Sequence, residues 1–418
     1  MEKPRPKIYY GWWIMILSFL LMGIVYSIGY YSNGLFIDPL SAYLQVPRST
    51  VSLFMTVTSA ATLIASPIIG RLYDQYSARI ILVTCLSLFT LSLLGFYLAT
   101  ELWHFFILSV VRGAGFMGSS TIAMSVLLNR WFGVKKRGLA MGISTMGSNL
   151  GTMILAPLLT SVIEHQGWRS AFLIMTLLCA ALIPIVLLLV AQSPEAKGLK
   201  RLGDAEGITA QGDVSLTVKQ GLRTPAFWLL ILGGSLLATC STSMTVHFVP
   251  YMTDIGYTAA RAAIFVSIGA ASMGVGKIVM GRCNDWLGVS KGLLVTMTLL
   301  TISIGALFAV RYIDGMLPVH LITYGLGMPT GILVPPLIIA KCFGNKNFAT
   351  LFGFYNVATG IGTAAGSSIT AWIAEWTGSY SAAWLCMLVI CSLTVGILYT
   401  SSRKTAAERL ALMKDSLP

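Results

Sequence analysis

The chain has 418 residues, 56% of them hydrophobic and 10% charged, with a mean hydropathy of +0.79 and a formal net charge of +13. Soluble domains carry about 25% charged residues, and no single water-bounded core could hide this much apolar surface, which argues against a soluble enzyme. A helix crossing a ~30 Å hydrocarbon core needs about 20 residues, and the apolar runs here are that long, unlike the ~10-residue alternation of a membrane barrel. In chain order they predict membrane helices at 9–36, 48–70, 79–99, 102–129, 139–164, 170–191, 225–250, 260–281, 291–312, 317–341, 348–374 and 380–401. The first is too long for a signal-peptide core and is expected to be retained as a membrane helix. The long polar stretch 192–224, with Pro194, several glycines and mixed charges, bisects the chain. The expected organisation is an N-terminal six-helix bundle (1–191), a cytoplasmic linker (192–224), a C-terminal six-helix bundle (225–402) and a cytoplasmic tail (403–418). The fold class expected is all-α and polytopic, with twelve transmembrane helices in two pseudo-symmetric halves.

Charge placement sets the expected topology. With both termini inside, 22 of the 28 Lys and Arg fall on the cytoplasmic side, from Lys3, Arg5 and Lys7 through Arg130, Lys135, Lys136 and Arg137 to Lys404, Arg409 and Lys414. Only Arg48, Arg169, Arg261 and Arg311 fall outside. This positive-inside bias absorbs the surplus charge without a nucleic-acid partner and implies a multi-pass protein of the cytoplasmic (plasma or inner) membrane. All fifteen carboxylates fit in loops or at helix ends; Asp38, Glu101, Glu164, Asp254, Asp314 and Glu375 lie outside. Two cations, Arg112 and Lys277, fall inside helices, so every charge expected at membrane depth is positive. The seven cysteines are scattered through apolar segments without a CxxC pair. They read as core residues, and neither a metal site, a cofactor motif nor a catalytic constellation is expected.

The halves repeat. Gly70-Arg71-Leu72-Tyr73-Asp74 follows the second helix and Gly281-Arg282-Cys283-Asn284-Asp285 follows the eighth, both G-R-x-x-D and 211 residues apart. Such repeats are a sequence sign of secondary transporters. The first loop, Gly70–Arg79, reads as a conformational latch in which Asp74 caps the following helix or pairs with a nearby arginine in one state only.

These residues resemble the major facilitator superfamily: the two Gly-x-x-x-Asp turns resemble its loop motif, and Arg112-Gly113-Ala114-Gly115 its Arg-Gly motif in helix four. Four further segments are similar to the branch of monocarboxylate porters and oxalate/formate antiporters. They are Tyr9-Tyr10-Gly11-Trp12-Trp13; Arg130-Trp131-Phe132 with Lys136-Arg137-Gly138-Leu139-Ala140; Gly167-Trp168-Arg169-Ser170-Ala171-Phe172; and Thr224-Pro225-Ala226-Phe227-Trp228. The resemblance implies two bundles about a central cavity, alternating access, and a small carboxylate as substrate. In that branch helix eight carries an anion-binding arginine; the matching position here is Lys277. Met273 stands where animal monocarboxylate carriers have an acidic partner, and Val357-Ala358-Thr359-Gly360 lacks the helix-eleven lysine of dicarboxylate exchangers. One central cation favours a monoanion.

A charge at the bilayer centre costs about 2.5–3.5 kcal/mol on insertion scales and usually marks a cavity; the bland alternative for Lys277 is snorkelling to the interface. Read functionally, Lys277 holds the anion and takes a proton with it, giving electroneutral symport. Expected donors beside it are Tyr31, Asn149, Tyr324, Tyr355 and Asn356, against plainer readings as interfacial aromatics or packing residues. His247 is a proton-sensing or gating candidate, with a satisfied structural histidine as its alternative. Arg112 reads first as packing within its half and hydrogen-bonding neighbouring backbone. The expectation is a proton-coupled transporter of lactate- or pyruvate-like monocarboxylates, acting as a monomer. Alternatives are a carboxylate exchanger, a transporter-like sensor, and a drug-efflux protein; the last would need a cavity carboxylate and glycines flanking Ala156-Pro157, both lacking.

Overall fold

A computed structural model describes residues 9–191, 193–203, 215–313 and 315–415, with side chains through Arg403. The inside placement of Lys3, Arg5 and Lys7 and the outside placement of Asp314 lie outside the described residues, as does linker segment 204–214; of Lys404, Arg409 and Lys414 only the backbone is described. The described residues form twelve long helices. In chain order they are α1 (Gly11–Leu44), α2 (Arg48–Gln75), α3 (Ala78–Leu98), α4 (Leu102–Trp131), α5 (Arg137–Gln166) and α6 (Trp168–Leu189). There follow α7 (Pro225–Asp254), α8 (Ala259–Leu287), α9 (Val289–Ala309), α10 (Met316–Phe343), α11 (Phe348–Thr377) and α12 (Tyr380–Asp415). Two compact units divide the chain, Met1–Gln211 and Gly212–Pro418.

Eleven of the helices are long and apolar enough to cross a membrane; α11, rich in Gly, Ala, Ser and Thr, has the length without the hydropathy. Its small residues pack closely on α7. A Cβ on Gly362 or Gly366 would overlap the carbonyls of Ser235 and Thr239. The Thr239 and Ser243 hydroxyls donate to Gly362 O at 3.0 Å and Gly366 O at 2.9 Å, and Thr370 donates to Ser243 at 2.8 Å. This is the small-residue seam by which membrane helices associate when lipid offers no hydrophobic drive. Unit 1 repeats it between α1 and α5: a Cβ on Gly151 would overlap Gly23 backbone, Ser27 donates to Ser148 O at 3.1 Å, and Ser144 to Met15 O at 3.2 Å. Many large apolar side chains point outward, among them Ile64, Met153 and Leu188. On a water-soluble protein these would be association patches; on membrane helices they face lipid.

Several element ends differ from the sequence expectation. Both G-R-x-x-D motifs lie on the last turns of α2 and α8 rather than in loops, because the i→i−4 ladder runs on to Tyr76 N–H on Leu72 O (2.8 Å), and α8 continues until Gly288 at φ +79° stops it. The helix α1 extends to Leu44 and changes winding at Met22–Tyr31, where i→i+5 bonds end with Ser32 N–H on Ser27 O. The α4 ladder is interrupted at Ser120 and that of α10 at Met328-Pro329.

The motif segments hold one another. Tyr9 Oη donates to Trp131 O (3.0 Å) and Lys200 O (2.9 Å), Tyr10 Oη to Leu189 O (2.9 Å), and Lys197 lies 3.8 Å above the Tyr10 ring. Phe132 and Leu202 form an isolated β-bridge. The first helix, the end of α4 and the start of the linker are thereby clamped. Arg169 fastens the opposite end, donating to Tyr43 Oη (2.9 Å) and Ala99 O (3.1 Å) between the Tyr43 and Trp168 rings. Thr224 caps α7 on Phe227 N–H (3.4 Å), with Pro225 in the first turn, where its missing N–H costs nothing.

Candidate functional site

Lys277 is 2% exposed and is the nineteenth of the 29 residues of α8 in unit 2. Gly276 beside it lets α8 meet α10, since a Cβ there would overlap Gly325 O. Gly274 is buried, yet a Cβ on it would find nothing within 4 Å. Residues i and i−3 share a helix face, so there is open space one turn from Lys277. Two turns from Lys277, Gly269 faces the Tyr324 ring of α10, which a Cβ added there would meet at 3.5 Å. Tyr324 Oη approaches Thr245 Oγ1 of α7 at 3.5 Å, and its ring lies 5.6 Å from that of His320. Lys277 and Tyr324 thus belong to the packed set α7–α8–α10.

The other candidates fall elsewhere. Tyr355 is buried with its ring over Gly234 of α7 and stacks on Phe352 (6.3 Å), so its position is accounted for by the α7–α11 seam. Asn356 beside it is half-buried, and its Nδ2 finds no acceptor among the described residues. His247 is buried near the far end of α7; Nε2 lies 2.9 Å from Ser367 O and Nδ1 3.4 Å from Tyr380 Oη. A carbonyl can only accept, so Nε2 donates to Ser367 O. Asn149 and Tyr31 are in unit 1. Asn149 is half-buried beside Ser148 (3.5 Å), and Tyr31 is 43% exposed. On ordinary α-helix geometry Tyr31 would lie about 100° from the face shared by Tyr26 and Tyr30. The wider i→i+5 turn instead brings both Tyr30 (5.5 Å) and Tyr31 (6.0 Å) against Tyr26. Widened turns of this kind recur at functional sites.

The repeated motif is partly matched between units. In unit 1, Tyr73 Oη donates to Gly118 O (2.5 Å) and Arg130 to Tyr73 O (2.8 Å), while Asp74 interacts electrostatically with Arg130. Arg71 is exposed, as is Arg282 in unit 2. In unit 2, Asn284 donates to Met280 O (2.7 Å), and Lys341, 211 residues beyond Arg130, donates to Ser290 Oγ (2.7 Å). Gly70 and Gly281 are buried, and Asp285 is half-buried. Arg137, expected on the cytoplasmic side, is buried at the start of α5, where it donates to the Asn129 side chain on α4.

The sequence reading missed His320. It is buried on α10, with Nδ1 3.0 Å from both Ser303 O and Ser303 Oγ, and its ring stacks on Phe248 at 5.4 Å. Its signal was available: a histidine within an apolar run, one turn before Tyr324. Among the described residues no cluster of His, Cys, Asp and Glu could hold a metal ion.

Comparison with known proteins adds the family. The profile of the Major Facilitator Superfamily matches residues 17–340. Monocarboxylate transporter 13 of Bos taurus is 25% identical over 380 residues, covering 90% of this chain and 85% of the relative. The oxalate:formate antiporter of Oxalobacter formigenes is 27% identical over 369 residues, covering 87% and 85%. The crystal structure of the E. coli fucose:proton symporter FucP in the outward conformation matches with a TM-score of 0.70 at 14% identity, over 94% of this chain and 97% of that one. With its helical architecture and a family profile spanning most of its length, the chain belongs to the major facilitator superfamily and is a multi-pass membrane transporter.

Proposed function

We propose that the protein is a secondary active transporter of small monocarboxylates of the lactate or pyruvate class, working by proton-coupled symport and alternating access. The observation that carries this reading is Lys277: a cation 2% exposed within the apolar helix α8, beside backbone with open space. A buried cation is retained in a bilayer when it has an anion to meet. An ammonium is a point charge with three donors and lacks the fork that favours one carboxylate geometry, so a family of short monocarboxylates fits better than a single dianion. The names of the relatives, which include monocarboxylate transporters, support the same class. In this reading Tyr324 supplies a hydroxyl on the Lys277 side of unit 2. Tyr31, Asn149, Tyr355 and Asn356 line the substrate path, and His247 gates the far end of α7. The protein sits in the cytoplasmic membrane as a monomer with both termini inside, and the G-R-x-x-D turns bias the conformational equilibrium.

Exchange is the second reading, supported by the oxalate:formate antiporter relative. Labelled L-lactate uptake into proteoliposomes separates the two. Symport gives uptake into empty vesicles that rises with an inward proton gradient. Exchange gives uptake only when the vesicles hold an internal carboxylate, and that result would replace symport.

A further inference from the structure

We propose that unit 1 contains a second anion site, for a small monoanion of halide or formate size, at Arg112. The inference is independent of the reading of Lys277, which lies in the other unit.

Arg112 stands ten residues into α4, roughly 15 Å from its Glu101 end at 1.5 Å per residue. It is 8% exposed. One guanidinium nitrogen, Nη2, donates to Ile28 O at 3.0 Å, and the group lies 5.9 Å from the Phe96 ring. Nε is buried with no acceptor, and Arg112 makes no ion pair among the described residues. The side chain lines a recess together with Ser109, Asn33, Thr58, Phe96 and Phe172, among others, drawn from α1, α2, α3, α4 and α6. Ser109 Oγ, on the same helix at i−3, is also fully buried without a partner. Two donors on one face of α4 therefore converge on one recess, one of them permanently charged.

Charge and shape select the occupant. A guanidinium at membrane depth is costly unless a compensating charge meets it, and no carboxylate does so here. Thr58 already donates to Phe54 O (2.8 Å), which leaves the Ser109 O–H and the guanidinium N–H groups not engaged by Ile28 O, Nε among them, as the donors. The remaining wall is mostly apolar and aromatic, which favours a weakly hydrated monoanion over a strongly hydrated dianion. Asn33 Oδ1, the third buried atom of the recess without a partner, is an acceptor. Its own Nδ2 is committed to Gly29 O (3.1 Å), so it would take a water beside the anion.

The test is thermal unfolding of the full-length protein in detergent, titrated with sodium chloride, bromide, formate or L-lactate against sodium gluconate at constant ionic strength. Halide and formate are expected to raise the midpoint saturably in wild type and in Lys277→Ala, and not in Arg112→Gln. Ser109→Ala, which keeps the charge, should weaken the apparent halide affinity roughly tenfold, as for a lost hydrogen bond to a charged group. A shift with L-lactate that is lost in Arg112→Gln but kept in Lys277→Ala would identify the transported carboxylate as the occupant of the same site. Should Arg112→Gln fail to fold, an anomalous bromide peak beside Arg112 Nε in crystals of the wild type reads the site directly. Halide insensitivity of the wild type, or an unchanged halide response in Ser109→Ala with no bromide at Arg112, would overturn the proposal.

Discussion

At the scale of single residues, two intramembrane cations do different work. Lys277 has open space one turn away, whereas Arg112 is tied to α1 backbone through Ile28 O. If Lys277 acts as a charge, Lys277→Arg should keep measurable L-lactate uptake with an altered preference among carboxylates, and Lys277→Gln should lose it; equal loss in both would mean that ammonium geometry, rather than charge, is required. His247 is held at both nitrogens, so its gating role has a specific test. His247→Gln is expected to lower uptake while leaving the unfolding midpoint unchanged; unaltered uptake with a lower unfolding midpoint would assign it to packing. The Arg48–Asp38 pair (2.7 Å) is exposed on both sides, and exposed pairs contribute ~0–1 kcal/mol. Asp38→Asn should accordingly leave the unfolding midpoint nearly unchanged.

At the scale of helices, stability rests on seams of small residues with serine and threonine hydroxyls across them. Gly151→Val would drive two methyl groups into Gly23 backbone, which has no side chain to move aside; overpacking of this kind costs typically 1–3 kcal/mol and more where backbone must shift. It should lower the unfolding midpoint clearly. Gly396→Ala on α12, where a Cβ meets nothing within 4 Å, should leave the midpoint equal or raise it, by up to the ~0.5–1 kcal/mol that a helical glycine gives away. Much at this scale was legible beforehand. Hydropathy runs located the helices, and the exclusion of charges from them singled out Lys277 and Arg112. What the sequence did not reveal depends on which way side chains turn. The widened turn of α1 regroups Tyr26, Tyr30 and Tyr31, and no residue type announces it. Tyr355 lies with its ring over Gly234, because the close α7–α11 approach decides where the ring goes. The G-R-x-x-D segments read as loops because glycine and charge end an apolar run, while the backbone ladder continues for another turn.

At the scale of the whole molecule, the repeat supplies the frame: the α1–α5 seam is matched by α7–α11, and Arg130 by Lys341 at the same 211-residue offset. The units differ at the buried cation: Lys277 in unit 2 has no cationic counterpart at that offset in unit 1, where Ser66 stands. The central claim is that Lys277 carries the transported anion. It is tested most directly by uptake of labelled L-lactate into proteoliposomes under an inward proton gradient, with wild type and Lys277→Ala reconstituted at equal, folded amounts. Gradient-stimulated uptake in the wild type, reduced to the level of empty vesicles in Lys277→Ala, is the result predicted. Uptake by Lys277→Ala equal to that of the wild type would contradict it.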